Sequence, residues 1–188
     1  MVSVRNSLLA ILTMGPAYGF QLHGELTTRT AGRRSVNVGQ IYSTLERLVG
    51  QGAVEPAGST ADGLPLYRLT ASGRTEALAW LLDTDSGPGA EWNDMLDRVL
   101  IASSLPHVDL APVLAGYRTA WLARLPRDGE PVGSPGETGQ DQLGRTAQDL
   151  QARAALTWLE AVPDTGIHLH RGLSQLRPKR GRRPAASG

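Results

Sequence analysis

The sequence contains no cysteine and only one phenylalanine among 188 residues. Without thiols, the chain has no disulfide framework, no thiol nucleophile and no zinc site that uses thiolates. No apolar run approaches the roughly 20 residues that a membrane-spanning helix needs. The apolar stretch after Arg5 ends at Gly15 and Pro16, and no small-residue cleavage site follows it. We therefore expect no signal peptide, no membrane association and a cytoplasmic location.

Acidic residues are missing from the end of the chain, and the charge is unevenly distributed. Residues 1–82 contain seven basic and five acidic residues, and residues 83–164 contain six basic and thirteen acidic residues. Residues 165–188 contain six basic residues and no acidic one. The formal net charge of +1 thus hides an acidic middle and a basic end. This asymmetry favours a strongly charged partner such as nucleic acid, although a solvated acidic surface followed by a disordered tail also explains it.

The first 82 residues have the pattern of three helices, a hairpin and a fourth helix. Apolar residues recur at helical spacing in three stretches, around Leu8–Leu12, Phe20–Leu26 and Val38–Val49. Asn37 is a good N-cap for the third helix, and Thr70 for the fourth. Two short strand candidates, Ala53–Glu55 and Leu66–Leu69, flank a turn-rich stretch at residues 58–63. This order predicts a winged helix.

The second part of the chain predicts three further helices after a linker at residues 86–89. Apolar residues recur at helical spacing in residues 92–100, 110–125 and 143–158, and a Gly/Pro-rich stretch at 126–140 interrupts them. Three such helices enclose little core alone, so we expect them to pack against a second copy in a homodimer. The alternative is that they fold back on residues 1–82.

We therefore expect a mainly α-helical protein with three parts. The first is a winged helix-turn-helix domain at residues 1–83, consisting of three helices with a two-stranded wing. The second is a helical dimerisation and effector domain at residues 90–162. The third is a basic tail at residues 163–188, which we expect to be disordered.

The third helix is the best candidate for contact with DNA. If Val38, Ile41, Leu45 and Leu48 face inward, then the outward face carries a polar row of Gln40, Ser43, Thr44 and Arg47. These side chains suit base edges, because Arg pairs with guanine, Gln pairs with adenine, and the Thr methyl group contacts thymine. An ordinary solvated helix face is the alternative, and Glu46 argues against DNA contact because phosphates repel a carboxylate.

Three arginines, Arg29, Arg33 and Arg34, lie between the second and third predicted helices. This position suits contacts with the phosphate backbone. A solvated loop explains the same residues equally well.

Three segments resemble the PadR family of winged-helix transcriptional regulators: LLAILTMGPAYGFQLHGEL at 8–26, VNVGQIYSTLERLVGQGAV at 36–54 and YRLTASGR at 67–74. Gly15, Pro16 and Gly19 match the family's turn between the first and second helices. Its recognition helix is matched by Gly39, Ile41, Tyr42, Leu45, Leu48 and Gly52, and its second wing strand by Tyr67, Leu69, Thr70 and Gly73. The resemblance implies a dimeric repressor of an inverted-repeat operator, often released by a small molecule, with C-terminal helices that form the dimer interface. It also places Tyr42 at the DNA surface, although half-burial of this ring is an open alternative.

Two features depart from the family pattern. Ser43 stands where many members have proline, which favours a regular helix and adds a polar side chain. Residues 58–65 of the wing contain no basic residue and include Asp62, so we expect no contact between the wing and the minor groove.

The basic tail is a candidate to compensate for the uncharged wing. Its stretch at residues 178–184 resembles the Arg-Gly-Arg core of AT-hook segments, which lie in narrow minor grooves. Arg183 intervenes where that core has proline, so a non-specific polybasic tail is the alternative. The candidate DNA-binding residues of the chain are Asn37, Gln40, Tyr42, Ser43, Thr44, Arg47, Arg33, Arg34, Lys179, Arg180, Arg182 and Arg183.

Three tryptophans in the second part, Trp92, Trp121 and Trp158, are candidates to bind a small aromatic effector. Core packing is the alternative use. His168 and His170 form a pair without an evident third ligand, so we expect no metal site. No phosphate-binding loop, dinucleotide fingerprint or nucleophile turn occurs, so we expect neither enzyme activity nor a cofactor.

The expected partners are double-stranded DNA, a second copy of the chain and a small aromatic effector. The alternative function is that of a winged-helix protein-interaction module. The acidic middle segment and the uncharged wing support this alternative.

Overall fold

The computed structural model of the protein describes residues 4–83, 92–126, 138–162 and 170–174. Within these residues the fold is mainly helical, as predicted, with a small antiparallel sheet. In chain order the elements are α1 (Val4–Leu12), β1 (Ala17–Tyr18), α2 (Gly19–Arg29), α3 (Val38–Gly50), β2 (Val54–Ser59), β3 (Pro65–Leu69), α4 (Ala71–Leu82), α5 (Trp92–Ser103), α6 (Leu110–Leu122) and α7 (Gly139–Ala161).

Both predicted helix caps are present. The Asn37 side chain accepts a hydrogen bond from the backbone N–H of Gln40 at 2.8 Å, and Thr70 Oγ1 accepts one from Gly73 N–H at 3.1 Å. Each cap satisfies a backbone donor that the first turn of the helix leaves without a partner. The starts of α3 and α4 are therefore fixed by local sequence.

The sheet has the strand order β1-β3-β2, and β1 was not predicted. Ala17 and Tyr18 pair with Tyr67 and Leu66 of β3, which ties the turn between α1 and α2 to the wing. A strand of two residues has no periodicity to detect, so only its partner reveals it. The β2–β3 hairpin is antiparallel, with an irregularity between Pro56 and Ser59.

Two glycines of the family motif lie where a larger residue would collide with a neighbour. A Cβ at Gly19 would overlap the ring of Tyr42 on α3. A Cβ at Gly73 would overlap the carbonyl oxygen of Ala53, at the start of the wing. These glycines therefore permit close approach of α2 to α3 and of α4 to β2.

Two clusters of buried apolar residues organise the molecule around α3 and α7. The first packs α1, α2, α3 and the wing around Leu9, Leu22, Ile41 and Leu45. The second packs α5, α6 and α7 around a buried Trp121, whose indole N–H donates to Met95 Sδ at 3.0 Å. A smaller cluster joins the two groups of helices.

The long helix α7 presents different faces along its length. Ala152, Ala155 and Leu159 are buried against the rest of the chain. Leu143 and Leu150 are 71% and 63% exposed, and they lie on the predicted apolar stripe. The stripe of α7 is therefore not covered by the described part of its own chain.

Residues 170–174, within the predicted tail, lie along α2. The Gln21 side chain donates to the carbonyl of Ser174 at 2.6 Å, and Leu173 packs against the first cluster. No helix in the described ranges is both long enough and apolar enough to cross a membrane.

Candidate nucleic-acid interface

Helix α3 leaves a polar edge exposed beside the wing. Gln40, Ser43, Glu46 and Arg47 are exposed, and Tyr42 is half-buried. The inward face is apolar, as predicted, with Ile41, Leu45 and Leu48 fully buried. The exposed edge presents amide, hydroxyl and guanidinium groups in one row, which can hydrogen-bond to base edges.

The prediction that Thr44 lies on the outward face is wrong. Thr44 is only 2% exposed. Its hydroxyl donates to the Gln40 carbonyl at 2.7 Å and accepts from Arg47 Nη2 at 3.2 Å. Position 44 lies at the border between the two faces of α3, and neighbouring side chains cover it.

Arg47 lies folded along its own helix. Its Nε donates to the Ser43 carbonyl at 3.3 Å, and its Nη2 donates to Thr44. Both bonds are exposed or partly exposed contacts to neutral groups, so solvent competes with them. An exposed guanidinium held only by neutral groups can turn to an anionic or base acceptor at little cost.

Tyr42 faces the wing. Burial raises the pKa of Tyr67 on β3, and the neighbouring Tyr42 and Glu46 raise it further. These three side chains therefore lie close together, where α3 meets the wing. The ring of Tyr42 packs on Gly19, so the half-burial considered from the sequence is what the structure shows.

A groove of about 560 Å³ runs along the other side of α3. It lies between α3, the first residues of α1 and the α2–α3 loop. Its polar lining includes Arg5, Arg33, Arg34, Gln40, Arg47 and Gln51. Four guanidinium groups beside the exposed edge of α3 make this groove suitable for an anion.

The two loop arginines are held by a carboxylate on α5. Arg33 Nε donates to Asp97 Oδ1 at 3.3 Å, and Arg34 Nε donates to Asp97 Oδ2 at 2.5 Å. The side chain of Asp97 is only 2% exposed. The α2–α3 loop is therefore not a freely solvated segment, in contrast to the simpler sequence interpretation.

Arg29 is buried and does not reach the surface. Its Nε donates to Glu25 Oε2 at 2.7 Å, and both side chains are 0% exposed. The suggestion that Arg29 contacts phosphate is wrong, because its guanidinium is enclosed by protein acceptors.

The remaining candidate residues are distributed over several parts of the molecule. Asn37 is exposed and uses its side-chain oxygen for the cap of α3. In the wing, Arg68 pairs with Glu55 at 2.7 Å across the hairpin. The tail candidates Lys179, Arg180, Arg182 and Arg183 lie outside the described residues, as do His168, the linker at 86–89 and most of the Gly/Pro-rich stretch.

The three tryptophans are brought together in the second cluster. Trp92 and Trp158 meet edge to face with ring centroids 6.0 Å apart, and Trp121 is buried. Among the described residues, no group of three or more His, Asp or Glu side chains is arranged to hold a metal ion.

Arg98 is a further feature that sequence reasoning missed. Its guanidinium carbon lies 4.9 Å from the ring centroid of Trp80 and 5.8 Å from that of Tyr117. Its Nε and Nη1 atoms are buried and have no hydrogen-bond acceptor in the described part of the chain. No periodicity marks this residue, because its surroundings come from α4 and α6.

Asp97 was also missed, although the sequence carried a weak signal. It is a carboxylate beside Leu96 and near Met95 and Val99 on α5, all of which are buried. An acidic residue on a buried helix face needs a cationic or hydrogen-bonding partner. The sequence could indicate that need but not the partner.

The chain matches one family, described as Transcriptional regulator PadR-like family, over residues 8–79. No curated protein matches it. Among solved structures, Bacillus subtilis PadR in complex with operator DNA is 19% identical, covers 86% of this chain and 97% of its own, and has a TM-score of 0.43. Bacillus subtilis PadR in complex with p-coumaric acid is 19% identical, covers 85% of this chain and 95% of its own, and has a TM-score of 0.39. A PadR-like transcriptional regulator from Bacillus cereus is 18% identical, covers 86% of this chain and 96% of its own, and has a TM-score of 0.38.

The family assignment therefore rests on residues 8–79, which span α1 to most of α4. These residues include the glycines that permit contacts with Tyr42 and with Ala53, and they include the whole of α3. The resemblance found in the sequence is confirmed over residues 8–79, which match the PadR-like family of transcriptional regulators.

Proposed function

We propose that the protein is a homodimeric, ligand-responsive repressor that binds an inverted-repeat operator through α3. The observation that carries this proposal is the exposed polar edge of α3 beside a groove with four arginines. A major groove admits one α-helix, and a basic groove next to that helix can bind the phosphate backbone.

The proposed contacts divide between bases and phosphates. Gln40, Ser43 and Arg47 contact base edges, whereas Arg33 and Arg34 contact the phosphate backbone. Asn37 and the hydroxyl of Tyr42 contact the backbone at the two borders of α3. Thr44 supports Arg47 from inside rather than touching DNA. The basic tail adds phosphate contacts, including Lys179, Arg180, Arg182 and Arg183.

The proposed dimer forms through α7. Leu143, Ala147, Leu150 and Ala154 are exposed along one side of a helix that is about 34 Å long. An apolar stripe of this length is stabilised when a second copy covers it. A two-fold dimer also presents two α3 helices, as an inverted repeat requires.

The proposed effector is a small aromatic molecule that binds in the helical part of the chain. Trp92 and Trp158 are half-buried and offer ring surface, whereas Trp121 is fully packed and serves the core. In this proposal Arg98 binds an acidic group on such a molecule, which is supported by its two buried nitrogens that have no acceptor in the described part of the chain. The solved complex of Bacillus subtilis PadR with p-coumaric acid supports this ligand class. The proposal includes no catalytic step.

Binding to the DNA upstream of the protein's own gene tests the proposal. Fluorescence anisotropy is measured with that duplex and with a scrambled duplex of the same length. We expect Gln40→Ala and Arg47→Ala each to weaken specific binding by about 1–3 kcal/mol, because each removes a base contact. Binding to the scrambled duplex is expected to change much less.

Gln148→Ala and Arg153→Ala are matched controls, since both residues are exposed on α7, away from α3. Sedimentation of the same samples is expected to give the mass of a dimer. If the wild-type protein bound both duplexes equally, or neither, sequence-specific regulation would be excluded. Absence of DNA binding would favour the protein-interaction module.

A further inference from the structure

We propose that Asp97 of α5 is a positioning residue for DNA binding: it holds Arg33 and Arg34 so that their terminal nitrogens bind one backbone phosphate beside α3. This inference rests on the proposed function, because the phosphate belongs to DNA bound at α3. Asp97 itself touches no DNA and acts through the two arginines.

Asp97 holds both arginines through their Nε atoms. Each carboxylate oxygen accepts one Nε–H, with Oδ1 taking Arg33 and Oδ2 taking Arg34. Because both bonds use Nε, neither arginine spends both of its terminal nitrogens on Asp97. Each guanidinium has five N–H donors, and a bond through Nε leaves the four N–H groups of Nη1 and Nη2 for other acceptors.

The terminal nitrogens of Arg33 and Arg34 are only partly used by other side chains. Arg33 Nη2 donates to Asn93 Oδ1 at 2.7 Å, and Arg34 Nη2 lies 3.9 Å from Asp94 Oδ1. In the described ranges, neither Nη1 atom has an acceptor. The side chains of Arg33 and Arg34 are 35% and 23% exposed, and both line the groove beside Gln40 and Arg47. The groove thus receives donors from two guanidinium groups that are already fixed.

The carboxylate of Asp97 is buried. A buried carboxylate with two cationic partners is costly to release, so it keeps the two arginines in one geometry. Fixing a long side chain before binding removes the cost of ordering that side chain from the binding step. Asp97 therefore strengthens binding of an anion although its own charge repels that anion.

The location of Asp97 gives the pair a second consequence. Asp97 belongs to α5, which also packs with α6 and α7 through Met95 and Val99. The two arginines lie in the loop that leads from α2 to α3. Asp97 therefore connects the helical part of the chain directly to the arginines that we propose bind the phosphate.

The direction in which one substitution changes DNA affinity distinguishes this proposal from an effect of charge alone. Asp97→Asn removes a negative charge near DNA, so charge alone predicts tighter binding. We expect instead a loss of about tenfold in affinity for the upstream duplex at 0.1 M salt. The slope of log affinity against log salt is expected to become shallower by about 1, since one phosphate contact is lost.

Glu46→Gln is the matched control. It removes a carboxylate from the exposed edge of α3, where Glu46 forms no ion pair with an arginine of the described residues. We expect it to leave affinity unchanged or to raise it. In the background of Arg33→Gln/Arg34→Gln, Asp97→Asn is expected to have no further effect on DNA binding, because the groups through which it acts are gone.

A second variant covers the case in which Asp97→Asn does not fold. Arg33→Lys/Arg34→Lys keeps both charges, but a single ammonium group cannot hold Asp97 and a phosphate in the same fixed fork. We expect the same loss of affinity and the same shallower slope. Wild-type affinity in either variant, or tighter binding by Asp97→Asn, would overturn the inference. If Gln40→Ala still weakened specific binding, the proposed function would stand without it.

Discussion

Arg29 and the Arg33–Arg34 pair are neighbours in sequence but serve different ends. The guanidinium of Arg29 is enclosed: Nε binds Glu25, Nη1 binds the carbonyl and hydroxyl of Ser104, and Nη2 binds the carbonyls of Arg171 and Gly172. Arg33 and Arg34 bind one carboxylate through Nε and still line an open groove. In the first arrangement every nitrogen of the guanidinium has a protein acceptor, whereas in the second the arginines keep terminal N–H groups beside a groove.

The difference shows how the surroundings of an arginine decide its role. Around Arg29, both Nη atoms join α2 to other parts of the chain, and Glu25, which binds Nε within α2, also accepts the backbone N–H of Ser174. Burial lowers the pKa of Arg29, and the pairing with Glu25 partly opposes this effect. Such a cluster stabilises tertiary structure. The Asp97 cluster orients donors toward solvent, where a phosphate can replace water.

The largest expected effect on stability comes from breaking the buried ion pair of Glu25 and Arg29. Glu25→Gln leaves the buried guanidinium of Arg29 without its counter-charge. We expect a loss of about 3–5 kcal/mol in the free energy of unfolding, measured by urea denaturation. The exposed pair of Glu55 and Arg68 supplies the control, and Glu55→Gln is expected to cost less than about 1 kcal/mol. Equal losses in the two variants would contradict the comparison.

The cluster of Asp97, Arg33 and Arg34 is expected to contribute less to stability than the pair of Glu25 and Arg29. Asp97→Asn leaves Arg33 and Arg34 partly exposed, so water can hydrate them. We expect a loss of about 1.5–3 kcal/mol, the range for a hydrogen bond to a charged group, in the same urea measurement. A loss as large as that of Glu25→Gln would show that the two clusters do not differ in kind.

The smallest expected effect concerns an exposed pair at the edge of the groove. The hydrogen bond from Arg5 lowers the pKa of Glu76 below its ordinary value, although slight burial opposes the shift. Glu76 thus stabilises the fold above its unfolded-state pKa, and this contribution is lost as pH falls through the lowered pKa. Because the side chains of Arg5 and Glu76 are 29% and 43% exposed, we expect less than about 1 kcal/mol.

Urea denaturation at pH 7 and at pH 3 measures this contribution for the wild type and for Glu76→Gln. The difference between the two proteins is expected to be present at pH 7 and to shrink at pH 3. A difference that grew on acidification would contradict the assigned shift.

Local features of the structure were predictable from sequence because they depend on neighbouring residues. The caps at Asn37 and Thr70 and the inward face of α3 follow from residue type and helical period. Thr44 was misplaced because a border position is assigned by what packs over it, and periodicity does not contain that information. The strand β1 was missed because its two residues are extended only through pairing with β3.

The candidate site shows the same division. Gln40, Ser43 and Arg47 were found as an exposed row, whereas the partners of Arg33 and Arg34 were not. Asp97 lies more than 60 residues along the chain from these arginines. A contact over that separation leaves no pattern in one sequence, because either residue alone fits many environments.

The sequence by itself determined where α3 begins, which of its residues are apolar, and that glycines stand beside Tyr42 and Ala53. Periodicity, capping and steric size act over a few residues, so they are readable without a fold. Only the tertiary structure decided that Arg29 is enclosed, that Thr44 is covered, and that Asp97 holds two arginines at a groove. These outcomes depend on which helices meet, since burial and the pairing of charges are properties of the packed chain.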